Sequence, residues 1–423
     1  MREYIERISD KVLAEHLESK GAVLIEGPKW CGKTTSGKHL AKSFIEMDRP
    51  DMTEQYQQMA RLKPTALLEG EVPRLIDEWQ IAPGIWNAVR YEVDQRGEFG
   101  QFILTGSSVP PVLDESMHTG TGRIVRMKMR PMSLYESKDS TGTVSLKDMF
   151  LGKDIYASDN RNIDDIAYFI CRGGWPLAIN VSKNIALKQA FDYYDSIVND
   201  DISRVDGVRR DSERTKRLMK SYARNVATQA SLETIREDCI VNDTDTFDKE
   251  TLYSYINALK KTFVIEDSPA WNPNLRSKTA IRTADTRYFV DPSIVTAALG
   301  LGPEDLINDL NMMGLIFENL CVRDLRIYAD ALDGDVYHYR DKTGLECDAV
   351  VHLRNGRYGL VEVKLGGDKL INEGAETLLK LVKKIDLDKM KEPAFTMVLC
   401  GVAPFAYRRE DGVYVVPISC LKN

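Results

Sequence analysis

Over about residues 1–180, short apolar runs alternate with stretches whose apolar residues recur at helical spacing. That alternation predicts a parallel sheet built from strand–helix units. Ala22–Ile25, Phe44–Asp48, Arg74–Asp77 and Phe102–Thr105 read as buried strands, with Arg126–Met129 as a fifth, and a helix is expected from Thr34 to about Ser43. From about 185 to 262 the pattern is helical, and then Phe263–Asp267 and Thr286–Asp291 read as strands flanking a polar, proline-containing loop. The last stretch opens with an apolar helix, Gly314 to Ala329. Strands follow at Val336–Arg340, Cys347–Leu353 and Tyr358–Leu365, then a helix near 373–385 and strands at Phe395–Cys400 and Gly412–Pro417. The stretch 137–147 reads as an exposed loop and 300–309 as a linker, with no internal repeat.

At 423 residues the chain has room for about three domains, expected at 1–182, 183–304 and 305–423. It is 43% apolar and 29% charged, which excludes a collagen-like or wholly disordered chain. A net charge of −7 excludes a generally polycationic surface, so nucleic acid would need a local basic stripe. Seven scattered cysteines, never in CxxC spacing, and five dispersed histidines predict neither a disulfide framework nor a structural zinc site. Charges near the N-terminus, where a leader would be apolar, and no apolar run of about 18 residues predict a cytoplasmic protein without a membrane partner.

The segment Gly27-Pro28-Lys29-Trp30-Cys31-Gly32-Lys33-Thr34 matches GxxxxGK[ST], with a buried strand before it and a helix after it. Backbone N–H groups at a helix N-terminus cradle phosphate, a lysine there supplies a point charge to the β- and γ-phosphates, and the hydroxyl ligates Mg²⁺. Gly27 to Thr35 are therefore the candidate ATP-binding residues. The strand Arg74–Asp77 ends in Asp77-Glu78: Asp77 is the second candidate Mg²⁺ ligand, and Glu78 is placed to activate the attacking water. Thr105, Ser107 and Ser108 end the next strand with hydroxyls suited to positioning that water.

In the C-terminal stretch, Glu362 and Lys364 are two apart on a strand and share a face, as do Glu346 and Asp348. A helix glutamate (Glu318), a strand aspartate (Asp348) and the Glu362–Lys364 pair, in the order helix, three strands, helix, strand, are the parts of a PD-(D/E)xK nuclease-like core. In such a core carboxylates hold Mg²⁺ or Mn²⁺ and the lysine serves the attacking water. The residue before Asp348 departs from that pattern: it is Cys347, not proline. The alternative is a strand with surface acids and a paired lysine.

GPKWCGKTT, RLIDEWQ, FILTGSS, Gly122-Arg123 with Arg130-Pro131-Met132-Ser133-Leu134-Tyr135-Glu136, and Gly173-Gly174-Trp175-Pro176 occur in that order. Together they resemble the bacterial and archaeal AAA-type ATPases that carry a C-terminal domain of unknown function, DUF4143. The resemblance covers nearly the whole chain. It implies an α/β multidomain protein: an AAA+-like parallel-sheet P-loop domain, a central helical module and a nuclease-like α/β domain. It also implies that Lys33, Thr34, Asp77, Glu78 and Thr105 are Walker A, Walker B and sensor-1 residues. Arg123 falls where such ATPases place an arginine finger, against the alternative of a surface arginine. The Gly173–Pro176 turn resembles the GxP element of signalling ATPases, against an ordinary turn.

Helices followed by a hairpin suggest that the central module is a winged helix. Arg210, Arg214, Arg217 and Arg224, widened by Arg209, Lys216 and Lys220, are either a phosphate-tracking stripe or a solvated face interrupted by Asp211 and Glu213. A helix at about 249–262 ends in Lys260-Lys261, and the loop beyond adds Arg276, Lys278 and Arg282. Two functions remain open: an ATP-fuelled nuclease acting on nucleic acid, DNA ahead of RNA, or an ATP-dependent signalling or assembly switch with a binding C-terminal domain. A small-molecule kinase is disfavoured, since nothing in 185–423 resembles an acceptor lid. A finger at Arg123 acting in trans requires a homo-oligomer.

Overall fold

A computed structural model of the protein describes residues 3–107, 120–240, 247–272, 284–388 and 390–423. Ser108, Arg276, Lys278 and Arg282 lie outside the described residues. The chain forms two compact units: Met1–Pro131 with Asn199–Arg210 and Ile256–Val264, and Met132–Val198 with Asp211–Tyr255 and Ile265–Asn423.

The first unit is built on β1 (Ala22–Glu26), β2 (Ser43–Glu46), β3 (Arg74–Asp77), β4 (Phe102–Gly106) and β5 (Ile124–Lys128). They pair in the order β2-β3-β4-β1-β5, and every pairing is parallel. Alternate side chains on the central strands are buried on opposite faces. Ala22, Leu24, Phe102 and Leu104 pack with Trp79, Trp86 and Val89, while Val23, Ile25, Leu75 and Ile103 pack with Leu13 and Leu17. Burial on both faces is why these strands read as unbroken apolar runs. The fifth strand starts two residues earlier than expected. Leu13 and Leu17 belong to a helix, Ile8–Ser19, that the sequence pattern does not reveal because it turns only a narrow apolar stripe inward.

The second unit carries β6 (Val144–Ser145), β7 (Ala157–Ser158), β8 (Gly334–Arg340), β9 (Glu346–Leu353), β10 (Tyr358–Gly366), β11 (Phe395–Val402), β12 (Phe405–Arg408), β13 (Tyr414–Pro417) and β14 (Leu421–Lys422). Seven of them form one mixed sheet, β7-β12-β13-β11-β10-β9-β8, and β6 pairs with β14. The pairs β8–β9 and β9–β10 are antiparallel, whereas β10–β11 and β11–β13 are parallel. Ile371, Ala375, Leu378 and Leu381 of the helix Asp368–Lys384 cover Val350, Leu360, Val398 and Val415.

Three expectations change here. The stretch 300–309 carries the helix Pro303–Asn308 rather than a linker, and 137–147 buries Ser137, Ser140 and Val144 rather than lying exposed. Among the described residues the hairpin after residue 262 is absent. Phe263–Asp267 and Thr286–Asp291 are not strands: they meet only at the isolated bridges Ile265↔Phe289 and Ser268↔Thr286. Phe263 takes a left-handed turn (φ 58°), and Asp291 leaves extended pairing to cap the helix Pro292–Leu299. Of the two readings left open for the arginine stripe, the ion pairs fit the face interrupted by acids. Arg210 is buried and forks onto Asp206 at 2.7 Å, while Lys216 pairs with Glu213 and Arg224 with Asp238.

The Gly173–Pro176 turn belongs to a buried polar junction in the second unit. Gly174 N–H donates to Asp291 Oδ2 at 2.9 Å, and Trp175 Nε1 donates to Ser293 Oγ at 2.9 Å. A Cβ at Gly174 would lie 2.1 Å from the Met132 carbonyl oxygen, so only glycine fits. Arg323, 1% exposed, ties Asp291 (2.8 Å) to Asp324 (2.7 Å), and Asp324 accepts from Leu134 N–H at 2.9 Å. This network gathers motif residues separated widely in sequence. Its role is packing, since every member is spent on a partner within the network.

Candidate functional site

The phosphate-loop segment leaves the carboxyl end of β1, the edge of a parallel sheet where ligands enter α/β folds. Gly27 is required by space: a Cβ there would sit 2.0 Å from the Met129 carbonyl oxygen beyond β5. Trp30 and Gly32 take positive φ (64° and 103°), and the helix Lys33–Leu40 starts directly after them. Pro28 and Cys31 are buried, and Cys31 Sγ faces the Met129 carbonyl at 3.5 Å, whereas Thr35 is exposed on the first helical turn. The Lys33 ammonium lies across the loop, donating to the Gly27 and Pro28 carbonyls at 2.9 and 2.7 Å. Lys29 points the other way and pairs with Asp201 of the Asn199–Arg210 segment.

Strand order explains the rest of the constellation. Because β4 lies between β1 and β3, Thr105 stands beside both the loop and Asp77. Thr34 Oγ1 donates to Asp77 Oδ1 at 2.8 Å, and Thr105 Oγ1 donates to the same oxygen. Glu78 adopts φ 52° and ψ 46°, and its N–H donates to Thr105 Oγ1 at 3.3 Å. Its carboxylate Oε2 accepts from Ser107 Oγ at 3.1 Å and from Gln80 Nε2. Burial pushes the Asp77 carboxyl up, opposed by its two threonine bonds. Burial also raises Glu78, opposed first by the charge of Lys33. Two oxygens, Thr34 Oγ1 and Asp77 Oδ1, thus converge at the loop, a donor set suited to an ion that keeps its waters and completes its shell with phosphate.

Arg123 is not brought to this group. It precedes β5 at the opposite edge of the sheet, where Ile124 pairs with Ala22 at the start of β1 and Lys128 with Glu26 at its end. That separates it from the loop by roughly 15 Å along the strands. It is exposed and pairs with Asp94.

In the second unit the four expected C-terminal residues do come together. Lys364 Nζ donates to Glu362 Oε2 at 2.8 Å and lies 3.6 Å from Asp348 Oδ2, which also accepts from Val363 N–H at 2.7 Å. Glu318, on the helix Leu310–Asp330, accepts from the Tyr288 hydroxyl. Burial and the Asp348 charge push Glu362 up to about 8, and burial with the same charge raises Glu318 well above the carboxylate range. Burial works against the Lys364 ammonium, but its acidic neighbours outweigh it and raise the group.

The arrangement is not the expected metal centre of Asp348, Glu362 and Glu318. Among the described residues no group of three or more His, Cys, Asp or Glu is placed to hold a metal ion. The Lys364 ammonium lies 2.8 Å from Glu362 and 3.6 Å from Asp348, while Glu318 is turned to Tyr288.

Several residues of these sites carry no signal in the sequence. Arg7, 6% exposed, bonds the Cys31 carbonyl at 2.7 Å and the Arg130 carbonyl at 2.9 Å, so it pins the loop to the segment after β5. Tyr4 stacks on His39 and contacts Ser36. Tyr288 is likewise unmarked, and Gln80 closes the RLIDEWQ motif without a role that its spacing assigns.

Residues 19–138 match the family profile described as an AAA domain, 163–305 a domain of unknown function, DUF8612, and 313–421 the domain of unknown function DUF4143. No curated protein matches the sequence. Solved structures similar to this chain include the Walker-type ATPase of Pyrococcus abyssi, at 16% identity and TM-score 0.42 over 70% of this chain and 96% of that one. A RuvB variant of Thermotoga maritima matches at 16% identity and TM-score 0.28, covering 62% and 88%. The PCH-2 protein of C. elegans matches at 12% identity and TM-score 0.23, covering 56% and 61%. Among the described residues no helix is long and apolar enough to cross a membrane.

Proposed function

For a chain that joins an AAA domain to a C-terminal DUF4143 domain, we propose Mg²⁺-dependent ATP hydrolysis in the first unit. The observation that carries it is the convergence of Thr34 and Thr105 on one oxygen of Asp77, with the Glu78 carboxylate held next to them. In this scheme Gly27–Thr35 bind the phosphates, and Lys33 leaves the Gly27 and Pro28 carbonyls for the β- and γ-phosphate oxygens. Thr34 and Asp77 hold Mg²⁺, which neutralises the charge growing on the transferred group. Thr105 orients Asp77 and the Glu78 backbone, and Glu78 takes the proton of the attacking water. Its raised proton affinity suits that role, because a base held nearer neutrality accepts a proton more readily.

Two variants test the scheme. Lys33→Ala removes the phosphate charge and abolishes ATP binding in titration calorimetry. Glu78→Gln keeps the shape and Asp77 ligation, so it binds ATP normally and releases phosphate at least ~100-fold more slowly. Unchanged affinity in the first, or unchanged release in the second, removes that residue from its role.

For the rest of the chain the proposal keeps three parts: the ATPase at 1–182, a helical module at 183–304 without the expected wing among the described residues, and a nuclease-like domain at 305–423. It places the protein in the cytoplasm. The internal ammonium of Lys364 favours the switch over the nuclease: the C-terminal domain binds, and ATP turnover gates what it binds. Incubation with labelled single- and double-stranded DNA and RNA, with ATP and Mg²⁺ or Mn²⁺, decides between them. Cleavage lost in Glu362→Ala would overturn the switch and restore the nuclease.

A further inference from the structure

Gln80 is absent from every role assigned above, yet it is built into the site. Strand β3 ends at Asp77, and extended chain beyond it would send residues 78 and 80 along the strand axis and away from the loop. Instead Glu78 is left-handed, and the short 3-10 turn Trp79–Ile81 follows, closed by Ile81 N–H on the Glu78 carbonyl at 3.1 Å. The turn curls Gln80 back so that its amide nitrogen donates to Glu78 Oε2, the oxygen that also accepts from Ser107. A carboxylate accepts only, so the amide nitrogen must face Glu78 and the amide oxygen must face elsewhere. That oxygen, Gln80 Oε1, is buried and has no hydrogen-bond partner.

Space for it is kept by Gly106 at the end of β4. A Cβ at 106 would stand 3.1 Å from Gln80 Oε1 and 3.2 Å from Trp79 Nε1. An orphaned buried acceptor is costly, and the left-handed backbone of Glu78 adds to that cost. The orphan sits two residues from the glutamate assigned to the attacking water.

We propose that Gln80 shares the attacking water with Glu78: its amide nitrogen fixes the Glu78 carboxylate, and its amide oxygen accepts the water's second hydrogen. The inference rests on the ATPase proposed above. In the step itself the water oxygen forms a bond to the γ-phosphorus while the bond from that phosphorus to the bridging oxygen breaks. The electron pair leaves with ADP, and the proton passes to Glu78. With one hydrogen directed at Glu78 and the other at Gln80, the water's lone pair is left facing the phosphorus, which is the work of an orienting glutamine in phosphoryl transfer.

The experiment uses the full chain and single-turnover ATP hydrolysis against pH in wild type, Gln80→Ala, Gln80→Glu, Glu78→Gln and the double variant Gln80→Ala/Glu78→Gln. Gln80→Ala should lower kcat by at least ~10-fold with ATP affinity unchanged. The lost N–H bond favoured the charged Glu78, so the acidic limb of the pH profile should move to higher pH. It should move further in Gln80→Glu, which keeps an acceptor but adds a like charge. In the Glu78→Gln background Gln80→Ala should add little, since the two act on one water. A merely structural residue would move neither the limb nor the additivity.

If wild type hydrolyses ATP and Glu78→Gln does not, but Gln80→Ala matches wild type in rate and pH profile, Gln80 has no such role. Equal losses from Gln80→Ala in both backgrounds overturn it as well. If wild type lacks turnover, or Glu78→Gln equals wild type, the ATPase scheme itself falls and takes Gln80 with it.

Discussion

Glu362→Gln should make this protein's stability less dependent on pH, in a direction and amount the C-terminal cluster fixes. Glu362 is 4% exposed, with Oε2 on Lys364 and Oε1 buried without a partner. Burial and Asp348 outweigh the pull of Lys364, so its carboxyl rises from the ordinary 4.5 to about 8. A proton held more tightly in the folded state stabilises that state fully below the unfolded pKa. The contribution is lost as pH climbs through the folded one. Between about pH 5 and about pH 7 the wild type should therefore lose roughly 2.5 kcal/mol of stability through this one group. The glutamine has the same shape and no titration, so it escapes that loss.

Scanning calorimetry of both full chains at half-unit pH steps reads it directly. The melting temperature of the second unit's transition should fall faster with pH in wild type, opening a gap of several degrees by about pH 7. Parallel melting curves over that range would show that Glu362 ionises in the folded protein as it does in the unfolded one. The cluster would then be solvated rather than buried.

Two further tests address the first unit. Gly27→Ala drives a Cβ against the Met129 carbonyl, so ATP affinity should fall by at least ~10-fold in titration calorimetry; wild-type affinity would mean that the loop does not need the close approach. An inactive Arg123→Ala chain mixed with an inactive Glu78→Gln chain should recover ATPase if Arg123 reaches a neighbouring copy's site. No recovery, alongside a monomeric mass with and without ATP, leaves Arg123 as the surface partner of Asp94.

The phosphate loop was legible because its chemistry is local. A strand, consecutive N–H groups, a lysine and a hydroxyl must lie within a few residues of one another, so spacing alone exposes Gly27 to Thr34. Asp77 and Glu78 were legible for a related reason, since two adjacent acids closing a buried apolar strand stand out from the pattern around them. The C-terminal group was legible as a set but not as a geometry. Spacing put Glu362 and Lys364 on one face, yet the bond of the ammonium to Glu362 and that of Glu318 to Tyr288 are tertiary facts that spacing does not carry. Arg7 was invisible, because its partners are backbone carbonyls and any residue supplies those. The hairpin expected after residue 262 failed because alternating apolar residues there satisfy packing below, while Asp291 serves the following helix instead of a strand partner.

The interleaving of the two units bears on how the chain is made. A nascent chain that has reached residue 182 already holds all five strands of the first unit's sheet, yet neither later insert of that unit has been synthesised. Lys29, in the phosphate loop, waits for Asp201, and the unit cannot close until residue 264 is out. At bacterial or eukaryotic elongation rates that interval lasts on the order of ten seconds. Throughout it the parallel sheet, slow to form and exposed at the β2 edge, stands without those two inserts. A chain cut at 182 lacks Asp201 and both later inserts, so the first unit as a whole extends well beyond its motifs.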